Sequence, residues 1–212
     1  MTRTGFSLLL PSVLLPFVSV AAACSAARAS APAEPDPAHW NIVPDLPIAA
    51  PPYERVTAHW KQRMEVPYVF LEHRGSYADT GALIPVLHRE LSAQGLEPDG
   101  PPFCLFYDDP SQVAVRDLRS RAAIPVRGAR AVLAPLAYEV LRSTTVGYAF
   151  VSGAYPDAPR AYPSVFAFLD RMHWEPAGPV REIYLVPPGS DPDPSKLVCE
   201  IQIEARPVGS RD

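Results

Sequence analysis

Cysteine is scarce in this chain, and clusters of basic residues are missing. Three of the 212 residues are cysteine, and the five histidines are scattered without the close spacing of metal ligands. We therefore predict neither a metal nor a cofactor. The net charge is −4, and a mildly acidic chain without basic clusters offers no electrostatic surface for nucleic acid. A glycine-rich phosphate loop and a Gly-x-Ser-x-Gly nucleophile turn are also missing, which argues against nucleotide binding and serine hydrolysis.

Residues 1–24 predict an export signal of the lipoprotein type. Arg3 precedes an apolar run from Phe6 to Val20, and small residues then lead to Cys24. We expect Cys24 to be lipidated, so that acyl chains anchor the protein to a membrane. Ordinary cleavage near residues 29–31 and an uncleaved anchor are the alternatives. The expected location is the cell envelope, as a periplasmic or outer-membrane lipoprotein, and otherwise the protein is secreted.

Proline marks the boundary of the folded domain. It accounts for 27 of the 212 residues, well above the usual share of about 5%, and it clusters within residues 31–52 and in the turn segments. Residues 25–52, rich in alanine, proline and serine, are therefore predicted to form an extended linker. The chain that follows has the length of one ordinary domain, which we place at residues 53–208, with a short tail at residues 209–212.

An internal repeat organises this domain. Gly75–Asp79 (GSYAD) matches Gly153–Asp157 (GAYPD), and Glu97–Pro101 (EPDGP) matches Glu175–Pro179 (EPAGP), both at an offset of 78 residues. A constant offset indicates a duplicated structural unit. Because two copies are too few for an open solenoid, we expect them to pair into one closed, pseudo-symmetric domain, with a ligand pocket at the seam between them.

Each copy predicts a strand, a helix and two further strands. The copies cover about residues 53–126 and 141–208. One helix per copy on an antiparallel sheet implies an α+β fold in which both helices cover one face of the sheet. The ligand cleft is then expected on the other face.

Strand alternation selects the residues of that free face. If Ile183 and Leu185 face the helices, Glu182 and Tyr184 face away from them. In the first strand of each copy, the residues that suit the helix-covered core are Val69, Leu71, Ala149 and Val151. An aromatic wall around a partly desolvated carboxylate suits a lipophilic cation. The alternative is a half-exposed strand face that binds no ligand. The predicted ligand-binding residues are Glu182, Tyr184, Tyr148, Phe150, Phe106, Tyr68, Phe70 and Glu72.

The same alternation separates the two remaining cysteines. It places Cys104 on the free face and Cys199 on the helix face, so we predict no disulfide between them. Cys104 is interpreted as a small buried residue that fills space, and a mildly reactive pocket thiol is the alternative.

Four segments resemble the GyrI-like family, the effector-binding domain of multidrug-responsive and AraC-type transcription activators. They are Val69–Tyr77, Gly153–Tyr155, Gly178–Leu185 and Cys199–Ile203. The resemblance covers about residues 53–208 and implies two fused strand-helix-strand-strand modules around a cleft. It also implies that a glutamate in the cleft, Glu182 here, engages cationic, lipophilic compounds. Regulators of this family carry a helix-turn-helix part, whereas the sequence upstream of this domain has only the export signal and the linker. We therefore expect a stand-alone module.

Three functions are compatible with these features. The first, which we expect, is a binding protein that captures amphipathic or cationic organic molecules. The second, implied by stand-alone members of the resembling family, is a hydrolase of electrophilic small molecules in which Glu182 is the catalytic residue. The third is an interaction protein that docks a partner on the free sheet face. The sequence leaves the ligand and the oligomeric state open.

Overall fold

The computed structural model describes residues 42–128, 131–187 and 189–210. The predicted export signal at residues 1–24, the lipidation of Cys24 and most of the linker lie outside these residues. Within the part of the chain that is described, no helix is long and apolar enough to cross a membrane.

The described residues form nine strands and two α-helices, which turns and loops connect. The strands, in chain order, are β1 (Ile48–Ala49), β2 (His59–Arg63), β3 (Val66–Arg74), β4 (Phe103–Phe106), β5 (Arg119–Pro125), β6 (Ala137–Leu141), β7 (Thr144–Ser152), β8 (Trp174–Tyr184) and β9 (Val198–Pro207). The helices are α1 (Leu83–Ala93) and α2 (Tyr162–Arg171), and 3₁₀ turns at Tyr77–Ala82 and Tyr155–Ala161 lead into them. β1 lies within the segment predicted as linker.

The strands form one sheet in the order β1-β7-β9-β8-β4-β5-β3-β6, and β2 also pairs with β7. Every described pair is antiparallel except β1 with β7. The first repeat supplies β3, β5 and β4, and the second supplies β7, β9 and β8, so the repeats meet where β4 pairs with β8. The predicted α+β class, with a mostly antiparallel sheet and two helices, is confirmed.

The repeat also places the ends of the two helices. Gly95 and His173, which are related by the repeat offset, both adopt left-handed backbone, with φ of +63° and +57°. The amide of each closes the preceding helical turn, on the carbonyls of Ser92 and Asp170. Glycine takes this conformation without a steric penalty, whereas histidine does so at some cost. The same turn is therefore built from different residues in the two copies.

Both helices pack on one face of the sheet, as predicted. In α2, Val165 and Leu169 lie in one buried cluster with Ile201 of β9. In α1, Leu87 packs with Val69 of β3 in a second cluster. The helix-covered face therefore extends across both repeats.

One row of residues crosses the sheet on this helix-covered face. Residues directly opposite each other on neighbouring strands point to the same side. The row is Leu71, Ala122, Cys104, Glu182, Ile201 and Ala149. Strand alternation correctly predicts the inward orientation of Leu71 and Ala149, and the register then brings Glu182 and Cys104 to the same side. The predicted orientation of Glu182, Tyr184, Cys104 and Phe106 away from the helices is therefore wrong.

The prediction fails because the opposite face is also apolar at its centre. Phe103, Leu105 and Ile183 form a buried cluster there with Tyr68 and Phe70. When both faces of a strand are buried, its alternation does not tell which side the helices cover. The large cavity of the domain accordingly lies on the helix-covered face, and not on the opposite face where the cleft was expected.

Candidate ligand-binding site

A cavity of about 1010 Å³ lies between the two helices, above the middle of the sheet. Its size is at the upper end of the range for small-molecule sites in proteins. The 3₁₀ turns and the first turns of α1 and α2 form its walls, and β4, β8 and β9 form its floor. The residues that carry its chemistry are Tyr77, Ile84, Phe106, Tyr155, Tyr162, Phe166, Glu182 and Tyr184.

Glu182 is the buried carboxylate of this cavity. The residue is 3% exposed, and two tyrosines hold its side chain. The Tyr162 hydroxyl donates a hydrogen bond of 2.7 Å to Oε1, and the Tyr184 hydroxyl donates one of 2.9 Å to Oε2. Among the described residues, no basic side chain lies within ion-pair distance of this carboxylate. Glu182 therefore has neutral donors on both oxygens but no positive counter-ion.

The balance of burial and hydrogen bonding sets the charge of Glu182. Burial raises its pKa from the ordinary value of 4.5 to about 6, although the hydrogen bonds from Tyr162 and Tyr184 act to lower it. The carboxylate is thus mostly ionised at neutral pH in a poorly solvated place. A cation that enters the cavity would supply the missing counter-charge, which makes this position attractive for a positively charged group.

The neighbouring groups stay protonated. Burial raises the pKa values of Tyr162 and Tyr184 well above their ordinary range, so both hydroxyls remain hydrogen-bond donors. Burial likewise raises the pKa of Cys104 to about 12, and the residue is fully buried. A protonated, inaccessible thiol supports the interpretation of Cys104 as a space-filling residue rather than a reactive one.

The frame of the cavity is built twice, once from each repeat. Tyr77 and Tyr155 occupy equivalent positions at the start of the two 3₁₀ turns. The Tyr77 ring packs on Phe106 with 4.9 Å between ring centroids, and the Tyr155 ring packs on Tyr184 at 4.5 Å. The Tyr77 hydroxyl donates to the Asp108 carbonyl at 2.9 Å, and Tyr155 makes the equivalent bond to the carbonyl of Val186. These paired contacts tie each 3₁₀ turn to the sheet.

The structure divides the predicted site residues between the two faces. Glu182, Tyr184 and Phe106 line the cavity. The remaining predicted residues lie on the opposite face, away from Glu182, and the prediction that they share one groove with it is wrong. They are Tyr148, Phe150, Tyr68, Phe70 and Glu72.

The rings of the opposite face are covered by cations of the chain itself. The Arg121 guanidinium lies 3.9 Å from the centre of the Phe70 ring, and the Lys61 ammonium lies 4.2 Å from that of Tyr148. Arg121 also pairs with Glu72 at 3.0 Å. The sequence predicted a ligand cation against these rings, whereas the cations that lie over them belong to the chain itself. Tyr68 and Phe150 are 0% and 1% exposed, so these two rings are not available to a docked partner.

The predicted site residues did not include Tyr77, Tyr155 and Tyr162, which line the cavity. Tyr77 and Tyr155 follow the repeated glycines at equivalent positions, so the repeat itself was a signal for them. Tyr162 carries no such signal, because its repeat-related residue is Ile84 and only the packing of α2 brings its hydroxyl to Glu182.

Fold and cavity together define a small-molecule-binding domain with an internal repeat. The family model for the GyrI-like small molecule binding domain matches residues 59–206, and the chain belongs to this family. No curated protein sequence matches the chain.

Solved structures share the fold. The C-terminal domain of EcmrR is similar with a TM-score of 0.65 at 17% identity, over 72% of this chain and 99% of that domain. EcmrR in its DNA complex gives the same TM-score and identity, and there the match spans 58% of the EcmrR chain. An uncharacterised conserved protein from Listeria innocua is similar with a TM-score of 0.53 at 10% identity, over 70% of this chain and 92% of that protein.

Proposed function

We propose that this protein captures amphipathic or cationic organic molecules in the cavity beside Glu182. The observation that carries the proposal is a buried carboxylate that has no positive partner in the described part of the chain and lies on the floor of a large cavity with aromatic and aliphatic walls. Membership of the GyrI-like small-molecule-binding family supports it. The apolar walls bury the body of the ligand, and Glu182 neutralises its charge.

Calorimetric titration of the soluble domain with tetraphenylphosphonium, a lipophilic monocation, tests this proposal. We expect saturable binding that weakens by about 10- to 100-fold in Glu182→Gln, since the attraction between two unit charges about 6 Å apart is roughly 2–3 kcal/mol at an effective dielectric constant of about 20. Glu72→Gln is the matched control, because Glu72 is a carboxylate on the opposite face with a side chain that is 69% exposed. Equal affinity of wild type and Glu182→Gln would contradict the role given to this carboxylate.

We also propose that the domain works in the cell envelope, tethered through Cys24 and the part of the predicted linker that precedes β1. The support is the sequence alone: an apolar run, small residues and a cysteine in the order of a lipoprotein processing site. Cells that produce the full chain are labelled with a palmitate analogue, with Cys24→Ser as the control. Label on the wild type alone supports the tether, and equal label on both chains contradicts it.

A hydrolase is the second candidate, favoured by the near-neutral pKa of Glu182, about 6. A carboxyl group that titrates there can accept and return a proton in one catalytic cycle. The hydroxyls of Tyr162 and Tyr184 lie beside it as hydrogen-bond donors. The test is incubation with epoxide substrates followed by mass spectrometry, where turnover should be lost in Glu182→Gln. If every substrate is recovered intact, the hydrolase function is contradicted and ligand binding is the function that stands.

A further inference from the structure

The cavity is built twice but carries its buried charge once. Cys104 of β4 and Glu182 of β8 are direct partners in the ladder that joins the two repeats. They are also related to each other by the repeat offset, so the pseudo-twofold axis passes between them. Each repeat therefore presents the same backbone to the cavity, and the difference between its two halves comes from side chains.

At repeat-related positions of the cavity, the side chains of the second repeat are more polar than those of the first. The second repeat places Glu182, Tyr184 and Tyr162 in the cavity. The first repeat places Phe106 and Ile84 at the positions that correspond to the two tyrosines, and both line the cavity. One half of the cavity thus holds a buried carboxylate with two hydroxyls, and the corresponding positions of the other half are apolar.

Two further carboxylates, Asp108 and Asp109, lie at the mouth of the cavity and do not change this difference in buried charge between its two halves. Asp108 is already bound by the Arg119 guanidinium, with 2.7 Å between Nη2 and Oδ1. Asp109 is exposed to solvent and accepts a hydrogen bond from the Ser111 amide at 2.8 Å. Among the described lining residues, Glu182 is therefore the acidic group that meets a ligand away from water.

We propose that the cavity selects ligands with one positive charge and holds them in one orientation. The positive centre lies against Glu182, and the apolar body extends along Ile84 and Phe106. This inference rests on the proposed function and adds its substrate class: a compact cation with a charge at one end only. A second charge at the other end would have to leave water for an apolar wall without a partner, which disfavours dications.

Two ligands of nearly identical shape test this selectivity. The first is 1,4-bis(trimethylammoniomethyl)benzene, with a charge at each end. In the second, one trimethylammoniomethyl group is replaced by neopentyl, its uncharged isostere. We expect calorimetry to show that the monocation binds wild type at least about tenfold more tightly than the dication.

Gly81 offers a way to narrow this preference with little disturbance of the fold. It lines the half of the cavity that lacks Glu182, and a Cβ added at this position meets no atom within 4 Å. Gly81→Glu adds a carboxylate to that half and is expected to improve dication affinity relative to the monocation by about tenfold. Gly81→Gln is the matched uncharged control, and it should keep the wild-type preference.

The outcomes separate this inference from the function on which it rests. If the monocation binds in a manner that depends on Glu182 but the dication binds equally well or better, the selectivity is wrong and the binding function stands. If neither ligand nor tetraphenylphosphonium binds wild type, both proposals are wrong. The inference is supported if wild type binds the monocation more tightly than the dication, and if this difference in affinity becomes smaller in Gly81→Glu but not in Gly81→Gln.

Discussion

Tyr162 on α2 donates a 2.7 Å hydrogen bond to Oε1 of Glu182 on β8. This contact joins a helix of the cavity wall to the charged group on its floor. Since the hydroxyl lowers the pKa of Glu182, the charge of the site depends on the position of α2.

Removal of this hydroxyl in Tyr162→Phe should therefore raise the pKa of Glu182 above about 6. We also expect a loss of roughly 1.5–3 kcal/mol in the free energy of unfolding at pH 8, because the buried carboxylate loses a charge-assisted hydrogen bond. Carboxyl NMR titration measures the first effect, and urea denaturation measures the second. An unchanged carboxyl titration would mean that the tyrosine does not control the charge of Glu182.

The pH dependence of stability follows from the raised pKa of Glu182. Between pH 4.5 and about 6 the folded chain holds a proton on Glu182 that the unfolded chain has released, so stability falls as pH rises through this range. Above about pH 6 the cost amounts to about 2 kcal/mol. Glu182→Gln should therefore be more stable than wild type at pH 8, with a difference that shrinks by pH 4.5. A constant difference across this range would contradict the assignment.

The affinity for a lipophilic cation should change with pH in the opposite direction. As pH rises through about 6, Glu182 becomes ionised and the cation gains its counter-ion. Tetraphenylphosphonium binding should strengthen up to about pH 7 and then level off. Titrations at several pH values measure this, and Glu182→Gln should show no such rise. A wild-type affinity that is flat from pH 5 to 8 would show that the bound cation does not sense this carboxylate.

The sequence allowed much of this architecture to be anticipated, because a repeat constrains both copies at once. The repeat offset located the two equivalent modules, and alternation gave the correct orientation for Val69, Leu71 and Ala149. The orientation of Glu182 could not be obtained in this way. It depends on which residue of β4 and of β9 lies opposite, and register is a property of two strands that neither strand encodes alone.

The chemistry of the site was predictable only in part. A glutamate and ring-bearing residues were correctly expected around the cavity, since Glu182, Tyr184 and Phe106 do line it. The hydroxyl of Tyr162 was not foreseeable, because it reaches Glu182 through the packing of a helix on the sheet. Such a contact depends on the distance between the helix layer and the sheet, and the periodicity of the sequence carries no information about that distance.

The distance between α2 and the sheet depends on Gly147 of β7, where the helix comes close to the strand. A side chain at this position would lie 2.7 Å from Cδ2 of Leu169 on α2, so Gly147→Ala should push the helix away from the sheet. We expect a loss of about 1–3 kcal/mol in the free energy of unfolding and weaker tetraphenylphosphonium binding, because the shift moves Tyr162 away from Glu182. Asp170→Ala is the control, since this exposed residue of the same helix is not part of the cavity lining and its substitution leaves the contact between α2 and β7 in place. Should Gly147→Ala match this control in both denaturation and calorimetry, the close approach of α2 to β7 would have no part in forming the site.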